Sequence, residues 1–186
     1  MQTTVGLFLI DKENRILATH PTRHKANQWD IVKGCKDNPN EPNIITLYRE
    51  FEEETGRKLF STFYNGSIEV SLNGELVDFS DYIGKVYHYN NKNKILYTFV
   101  MFLDNNIDIT AFKCNSYVKR VGGTLPQFPE IDAFAWLDIE DCWMLHDTQQ
   151  NALFDINKEY NIWKQENILN FKKYSKYFYK KDNNYA

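Results

Sequence analysis

The chain opens on Val5-Gly6-Leu7-Phe8-Leu9-Ile10, a short, dense apolar run of the length and composition of a buried strand. Asp11-Lys12-Glu13-Asn14 reads as a turn, and Arg15-Ile16-Leu17-Ala18-Thr19-His20 as the returning strand of a hairpin. After a polar loop from Pro21 to Asn27, Trp29-Asp30-Ile31-Val32 is expected as a third short strand, ended by Lys33-Gly34. The periodicity then changes. From Glu41 to Thr55, Ile44, Leu47, Tyr48 and Phe51 recur at three- and four-residue steps, which predicts a helix with one buried stripe. Pro42 suits its first turn, where a missing N–H costs least. Gly56, followed by Arg57 and Lys58, is the expected stop: glycine accepts the left-handed conformation and cations suit the negative end of the helix dipole.

Alternation returns in Ser67–Leu72 and Glu75–Phe79, joined by the hairpin signal Asn73-Gly74. A second pair, Gly84–Tyr89 and Ile95–Leu103, is expected around an Asn-rich turn at Asn90–Asn93. Residues 104–128, with Gly122-Gly123 and Pro126, predict a long irregular connection of the kind that is functional or mobile. Phe134-Ala135-Trp136-Leu137 is the last expected strand, and Ile139 onward predicts two helical segments to about Ser175. Tyr177–Ala186 is a polar tail, and no internal repeat is present. By pattern alone this is a mixed α/β chain.

Composition narrows the class. At 186 residues the chain fits one domain, and 42% apolar with 16% aromatic residues is enough for a core. A net charge of −3 gives no global attraction to nucleic acid, so any polyanion must be met by local cations or metal. No stretch approaches the roughly 20 apolar residues of a membrane span, and Met1–Val5 has neither the basic nor the apolar segment of a secretory leader. Cys35, Cys114 and Cys142 are odd in number and widely spaced, suiting neither a disulfide framework nor a CxxC site. A reduced, cytoplasmic setting is expected.

The chemistry concentrates between Gly34 and Gly56. At about 100° per residue, Glu50 and Glu54 lie about 40° apart on the helix with Glu53 adjacent. Three carboxylates on one face repel one another. They mark either a solvated acidic face or a divalent-cation site, since hard oxygen ligands are what Mg²⁺ or Mn²⁺ prefers. Read in full, the segment is Gly34, six residues, Glu41, seven residues, then Arg49-Glu50-Phe51-Glu52-Glu53-Glu54-Thr55-Gly56. This resembles the Nudix box, the signature of MutT-like hydrolases. It departs from that pattern by one extra residue before Glu41, in the loop with Asn38-Pro39-Asn40, and by Arg57 where an apolar residue is usual. Trp29-Asp30-Ile31-Val32-Lys33-Gly34 is similar to the Trp-x-x-Pro-Lys-Gly entry of the family, with Val32 in place of proline. Phe128-Pro129-Glu130-Ile131-Asp132 through Trp136 resembles its closing segment. Lys113-Cys114-Asn115-Ser116 and Gln149-x-x-Ala152-Leu153 resemble a bacterial subgroup of predicted nucleotide pyrophosphohydrolases, although Tyr117-Val118-Lys119-Arg120 replaces that subgroup's Glu-x-x-Pro-Pro. The resemblance covers roughly residues 4–155.

The resemblance implies an α/β/α sandwich with a mixed sheet and additional C-terminal helices. It implies a Nudix domain over 1–158, with 159–186 as a helical extension and polar tail packed on the same domain. By resemblance, Glu50, Glu53 and Glu54, with the Gly34 carbonyl, are the ligands of Mg²⁺, for which Mn²⁺ is a substitute. Arg49 positions the helix carboxylates, and the general base is Glu53 or Glu130. Lys33, Trp29, Lys119 and Arg120 are candidate substrate contacts, each also readable as a solvated or core residue.

Phe134 is a further candidate for stacking on a base, whereas Trp136 reads as core. Cys35 has no evident activating partner, and His20, His24, His88 and His146 show no metal-ligand spacing. Phe171–Lys181 interleaves cations with aromatics, a mixture that suits single-stranded nucleic acid and equally suits packing on the domain or on a second subunit. The expected activity is hydrolysis of a pyrophosphate bond in a small nucleotide: a dinucleoside polyphosphate, a nucleoside triphosphate or a nucleoside diphosphate linked to another group. The alternatives are an RNA 5′-end pyrophosphohydrolase and a nucleotide sensor without catalysis. No membrane partner is expected, and a homodimer is one of the open assembly states.

Overall fold

The computed structural model describes residues 1–64, 67–72, 75–78, 86–88, 93–103, 107–118 and 127–160. The strands are β1 (Gln2–Ile10), β2 (Ile16–Pro21), β3 (Val32–Cys35), β4 (Leu59–Tyr64), β5 (Ser67–Leu72), β6 (Glu75–Asp78), β7 (Val86–His88), β8 (Lys94–Leu103), β9 (Tyr117–Val118), β10 (Phe128–Pro129) and β11 (Ile131–Leu137). Two α-helices accompany them among the described residues, α1 (Asn43–Thr55) and α2 (Asp147–Tyr160), with short 3-10 turns at Ile109–Ala111 and Ile139–Met144. The main sheet runs β11-β2-β1-β8-β6-β5-β4, with β3 also on β1 and β7 on β8. It is mixed: β1 and β8 are parallel from Gln2↔Lys94 to Ile10↔Phe102, while β1 is antiparallel to β2 and β3.

The two-residue period of a strand builds two cores on opposite faces of this sheet. Val5, Leu7 and Leu9 of β1, with Phe99, Met101 and Leu103 of β8, pack against Leu47 and Phe51 of α1. Phe8 and Ile10, with Leu96 and Val100, pack against Ala152, Leu153 and Ile156 of α2. Helices on both faces of a mixed sheet make the α/β/α sandwich. Gly6 belongs to the α2 face, where a Cβ would lie 2.8 Å from Ile31 Cδ1.

Several boundaries differ from the sequence pattern, each for a local reason. The third strand is Val32–Cys35, not Trp29–Val32: Trp29 and Asp30 make single bridges to Leu145 and Thr19 before the chain turns onto β1. Gly34 is therefore inside the strand rather than beyond it. The helix starts at Asn43, with Pro42 as an extended N-cap (φ −60°, ψ 139°), because Glu41 is held outside it by Arg49 and Thr46. The last strand begins at Ile131, three residues before the apolar run that suggested it. Strand β4 had no counterpart in the pattern reading. Gly56 ends α1 as expected, left-handed at φ 72°. The turn Asn73-Gly74, Lys119, Arg120 and the tail from residue 161 lie outside the described residues.

Candidate active site

Gly34 and α1 form the base of the site. The residues of β3 alternate in facing, so Val32 and Gly34 lie on the α1 side, opposite Leu7 and Val5. A Cβ at Gly34 would occupy the space of the Glu50 carboxyl group. Glycine at this position is thus a requirement of close approach between strand and helix, and the Gly34 backbone is brought beside Glu50.

Arg49 organises the acidic groups around it. Its Nη1 donates to Glu50 Oε1 at 2.6 Å and to Glu53 Oε2 at 3.3 Å. Its Nη2 donates to the Cys35 carbonyl at 2.8 Å and to Glu41 Oε2 at 3.2 Å, and its Nε reaches Asp37 Oδ2 at 3.2 Å. One planar fork therefore fixes the helix to the strand and to the loop that precedes it. The extra loop residue is absorbed there: Asn38 accepts from the Asn40 N–H through its side chain and from Glu41 N–H through its carbonyl. Glu41 accepts from Arg49 and from the Thr46 hydroxyl, and these bonds depress its carboxyl to about 2. Burial opposes the Arg49 charge, but bonds to Glu41 and Glu50 outweigh it and raise the guanidinium above its ordinary value.

Two carboxylates of the helix itself carry the opposite shift. Burial pushes Glu50 up to about 7 against the pull of Arg49, helped by the charges of Glu53 and Glu130. Burial likewise raises Glu54 well above the carboxylate range, with Glu50 and Asp30 adding to it and Lys33 opposing. Glu54 accepts the Lys33 backbone N–H at 3.1 Å. Glu53 is the exposed member of the three, its side chain 41% accessible. Glu52 points away and pairs with Lys58 at 3.5 Å rather than with Arg49. Buried carboxylates crowded together with one arginine are short of positive charge, and a divalent cation supplies it through hard oxygen donors. Among the described residues no three acidic, His or Cys side chains form a ready-made cage. Arg49 is the counter-charge between Glu50 and Glu53, and oxygen donors of this kind would suit a divalent cation.

Glu130 reaches the same side from the turn between β10 and β11. Ser116 Oγ donates to its Oε2 at 2.9 Å, the Glu130 N–H donates to the Ser116 carbonyl, and its charge is felt at Glu50. Asn115 and Ser116 in turn donate their N–H groups to the Glu53 carbonyl, and Lys113 donates to that of Thr55. The Lys113–Ser116 segment thus closes the end of α1 and positions Glu130 over it. Ser116 is a site residue that its chemistry alone did not mark. Arg57, the unusual residue after the helix, donates to the Ala111 carbonyl at 3.3 Å.

The remaining candidates separate. Lys33 lies on the α2 face, where its Nζ pairs with Asp30 Oδ2 at 2.9 Å. Burial opposes the Asp30 charge, but Lys33 and the Gln149 amide lower its carboxyl all the same. Gln149, fully buried on α2, donates to Asp30 Oδ1 at 2.6 Å and accepts from Ile31 N at 2.9 Å. This bridge between α2 and the entry to β3 has no periodicity signal. Trp29 packs on the α2-side core, edge-on to His20 at 5.1 Å, and lines a cavity of about 370 Å³. Phe134 and Trp136 pack against the α1-side core, Phe134 edge-on to Phe112. Cys35 contributes its carbonyl, while its thiol lies 3.5 Å from Thr4 Oγ1.

A family model described as the NUDIX domain matches residues 1–156. No curated protein matches the chain. Among solved structures, a bifunctional NMN adenylyltransferase/ADP ribose pyrophosphatase from Francisella tularensis has a TM-score of 0.54 at 13% identity, over 85% of this chain and 41% of that one. The MutT protein from Methanosarcina mazei Go1 has a TM-score of 0.49 at 15% identity, over 85% of this chain and 95% of that one. The C. elegans Ap4A hydrolase, solved as a binary complex, has 0.47 at 15% identity, over 83% and 98%. At these identities the likeness is one of fold.

Proposed function

The chain belongs to the Nudix hydrolase family, and from that premise we propose that it hydrolyses a pyrophosphate bond in a nucleoside polyphosphate, with Mg²⁺ bound by Glu50, Glu53, Glu54 and the Gly34 carbonyl. The substrate class is a dinucleoside polyphosphate or a nucleoside diphosphate joined to another group. The observation that carries this reading is the convergence of Glu50 and Glu53 on Arg49, beside Gly34, with Glu130 tethered over the same face.

When bound, the cation neutralises phosphate oxygens and lowers the pKa of a bound water. The chain's own residues do the rest. Arg49 keeps the carboxylates in register through its fixed fork. Of the two base candidates, Glu130 is favoured, since its carboxylate is exposed and oriented by Ser116, whereas Glu53 is engaged by Arg49. In this role Glu130 takes the proton of the attacking water as the new P–O bond forms. The bridging P–O bond breaks and the leaving phosphate departs with the electron pair.

Retention of all three helix carboxylates argues against a sensor that has lost catalysis. The RNA 5′-end alternative rests on the Pro129-Glu130-Ile131-Asp132 segment and on the basic aromatic tail, and the tail lies outside the described residues. The test is phosphate and nucleotide release from a panel of dinucleoside polyphosphates, nucleoside diphosphate conjugates and triphosphates, with and without Mg²⁺. Glu53→Gln and Glu54→Gln are expected to abolish most turnover. Full activity in both variants would remove the metal assignment, and no turnover of any substrate by the natural chain would favour the sensor.

A further inference from the structure

The turn that carries Glu130 is held by a second segment besides Lys113–Ser116. Each of the residues 128–132 meets the end of β2 or the loop after it. Arg23 lies over the Phe128 ring, its guanidinium carbon 4.0 Å from the centroid. Thr22 Oγ1 donates to the Pro129 carbonyl at 2.6 Å, and the Thr22 N–H donates to the Glu130 carbonyl at 2.8 Å. Ile131 pairs with Pro21, and His20 Nδ1 meets Asp132 Oδ1 at 2.6 Å.

The backbone shows why contacts converge there. The pairing of β11 with β2 shifts register between Ile131 and Ala133, so Asp132 is an extra residue without an opposite number on β2. A bulge of this kind bends a strand and re-aims the side chains beside it, and the ladder alone does not fix Glu130. The loop supplies the rest. His24 N–H closes a turn on the Pro21 carbonyl at 3.0 Å, with Arg23 left-handed at φ 70° in the third position, where glycine is usual. A side chain in that conformation persists only where its surroundings hold it. Here the turn aims Thr22 at Pro129 and Glu130, and Arg23 covers Phe128.

The peptide unit just before Glu130 is therefore gripped at both ends. Its carbonyl, that of Pro129, accepts from Thr22 Oγ1, and its N–H, that of Glu130, donates to the Ser116 carbonyl. A planar unit held at both ends cannot swing, so the direction in which the Glu130 side chain leaves the backbone is fixed. We propose that Thr22 is a positioning residue for hydrolysis, its hydroxyl aiming the Glu130 carboxylate at the attacking water through this peptide. The inference rests on the reading of Glu130 as the base. Thr22 itself touches neither the water nor the substrate in this role.

The test uses the full chain with Mg²⁺ and whichever nucleotide of the panel turns over. Thr22→Val keeps the side-chain shape and removes the hydroxyl, and Thr22→Ser restores it. Since a misplacement of about 1 Å can cost about 10²-fold in rate, Thr22→Val is expected to lower kcat at least about tenfold with KM near its natural value. Thr22→Ser should recover most of that loss. In a Glu130→Gln background the same Thr22→Val change should have little further effect, because residues acting as one unit are not additive. Equal loss in both backgrounds, or a Thr22→Ser variant as slow as Thr22→Val, would overturn the proposal. Amide hydrogen exchange without substrate reads the grip itself: Thr22→Val should speed exchange across residues 128–132 about fivefold and leave residues 152–156 of α2 unchanged. Unaltered exchange at 128–132 would overturn the proposal whatever the rates. Natural kcat in Glu130→Gln would remove the base and this role together. Failure of the natural chain to turn over any nucleotide would instead remove the reaction, and with it the role of Thr22 in it, leaving the exchange comparison to judge the grip.

Discussion

Arg49 and the carboxylates around it have separable effects, because each meets the guanidinium differently. Glu54 is buried and its carboxyl is held well above the usual range. Glu54→Gln, an isosteric and permanently neutral replacement, is therefore expected to leave metal-free thermal stability unchanged or raised. The same change should abolish any rise in Tm on adding Mg²⁺. Glu130 sits outside that cluster, so Glu130→Gln should lower kcat by about 10²–10⁴-fold while leaving Mg²⁺-induced stabilisation intact. Ser116→Ala, which removes only the orienting hydroxyl, should lower kcat less and leave KM near its natural value. A Glu130→Gln variant with natural kcat would return the base role to Glu53.

The elements are joined by a few side-chain staples whose loss has a predictable sign. Gly56 is left-handed, and a Cβ there would lie 2.5 Å from the Lys113 carbonyl oxygen, on the segment that closes α1 and carries Ser116. Gly56→Ala should cost at least about 1–2 kcal/mol in denaturant unfolding and also reduce kcat. His20 joins β2 to β11 and to the loop between β2 and β3. Its Nδ1 meets Asp132 Oδ1 at 2.6 Å and its Nε2 meets the Lys25 carbonyl at 3.0 Å. Both partners accept, so both ring nitrogens must donate, which only the imidazolium does. Burial lowers the His20 pKa, but the bonds to Asp132 and Lys25 outweigh it and the net shift is upward. A raised folded pKa means that the stability contributed is fully present below about pH 6.5, the unfolded value. It is lost as pH rises through the folded value. His20→Gln should flatten the Tm profile across that window, and an unchanged profile would show that the pair contributes nothing.

For the molecule as a whole, binding of a cation only to the folded state must stabilise it. At a Mg²⁺ concentration 100 times its dissociation constant the gain is about 2.7 kcal/mol, readable as a Tm that rises with Mg²⁺ and falls back with EDTA. Sandwich integrity rests on both cores, so Phe51→Ala on the α1 side should cost about 3–5 kcal/mol. The expected division at residues 158 and 159 falls inside α2, which runs to Tyr160 and whose Ala152, Leu153 and Ile156 are core. We propose that a chain ending after Tyr160 keeps small-nucleotide hydrolysis. Loss of RNA 5′-end turnover alone on that truncation would give the tail a function of its own.

The pattern of residues determined the strand β1, the helix α1, its left-handed stop and the family signature. These depend on local period, on a glycine's freedom and on carboxylates three and four residues apart. They are properties of neighbouring residues, legible without a fold. Gly34 was legible as a signature position, but its reason, room for Glu50, appears only when β3 lies under α1. Trp29 and Asp30 run into Ile31-Val32 with no turn signal between them, so the start of β3 shows only in its pairing with β1. Ser116 beside Glu130, Gln149 beside Asp30 and His20 beside Asp132 are separated by 14, 119 and 112 residues along the chain. Such contacts leave no periodic trace, because a polar side chain far along the chain signals nothing about its partner. Which acidic residues are buried, and hence which lack positive charge, was decided by the tertiary structure alone.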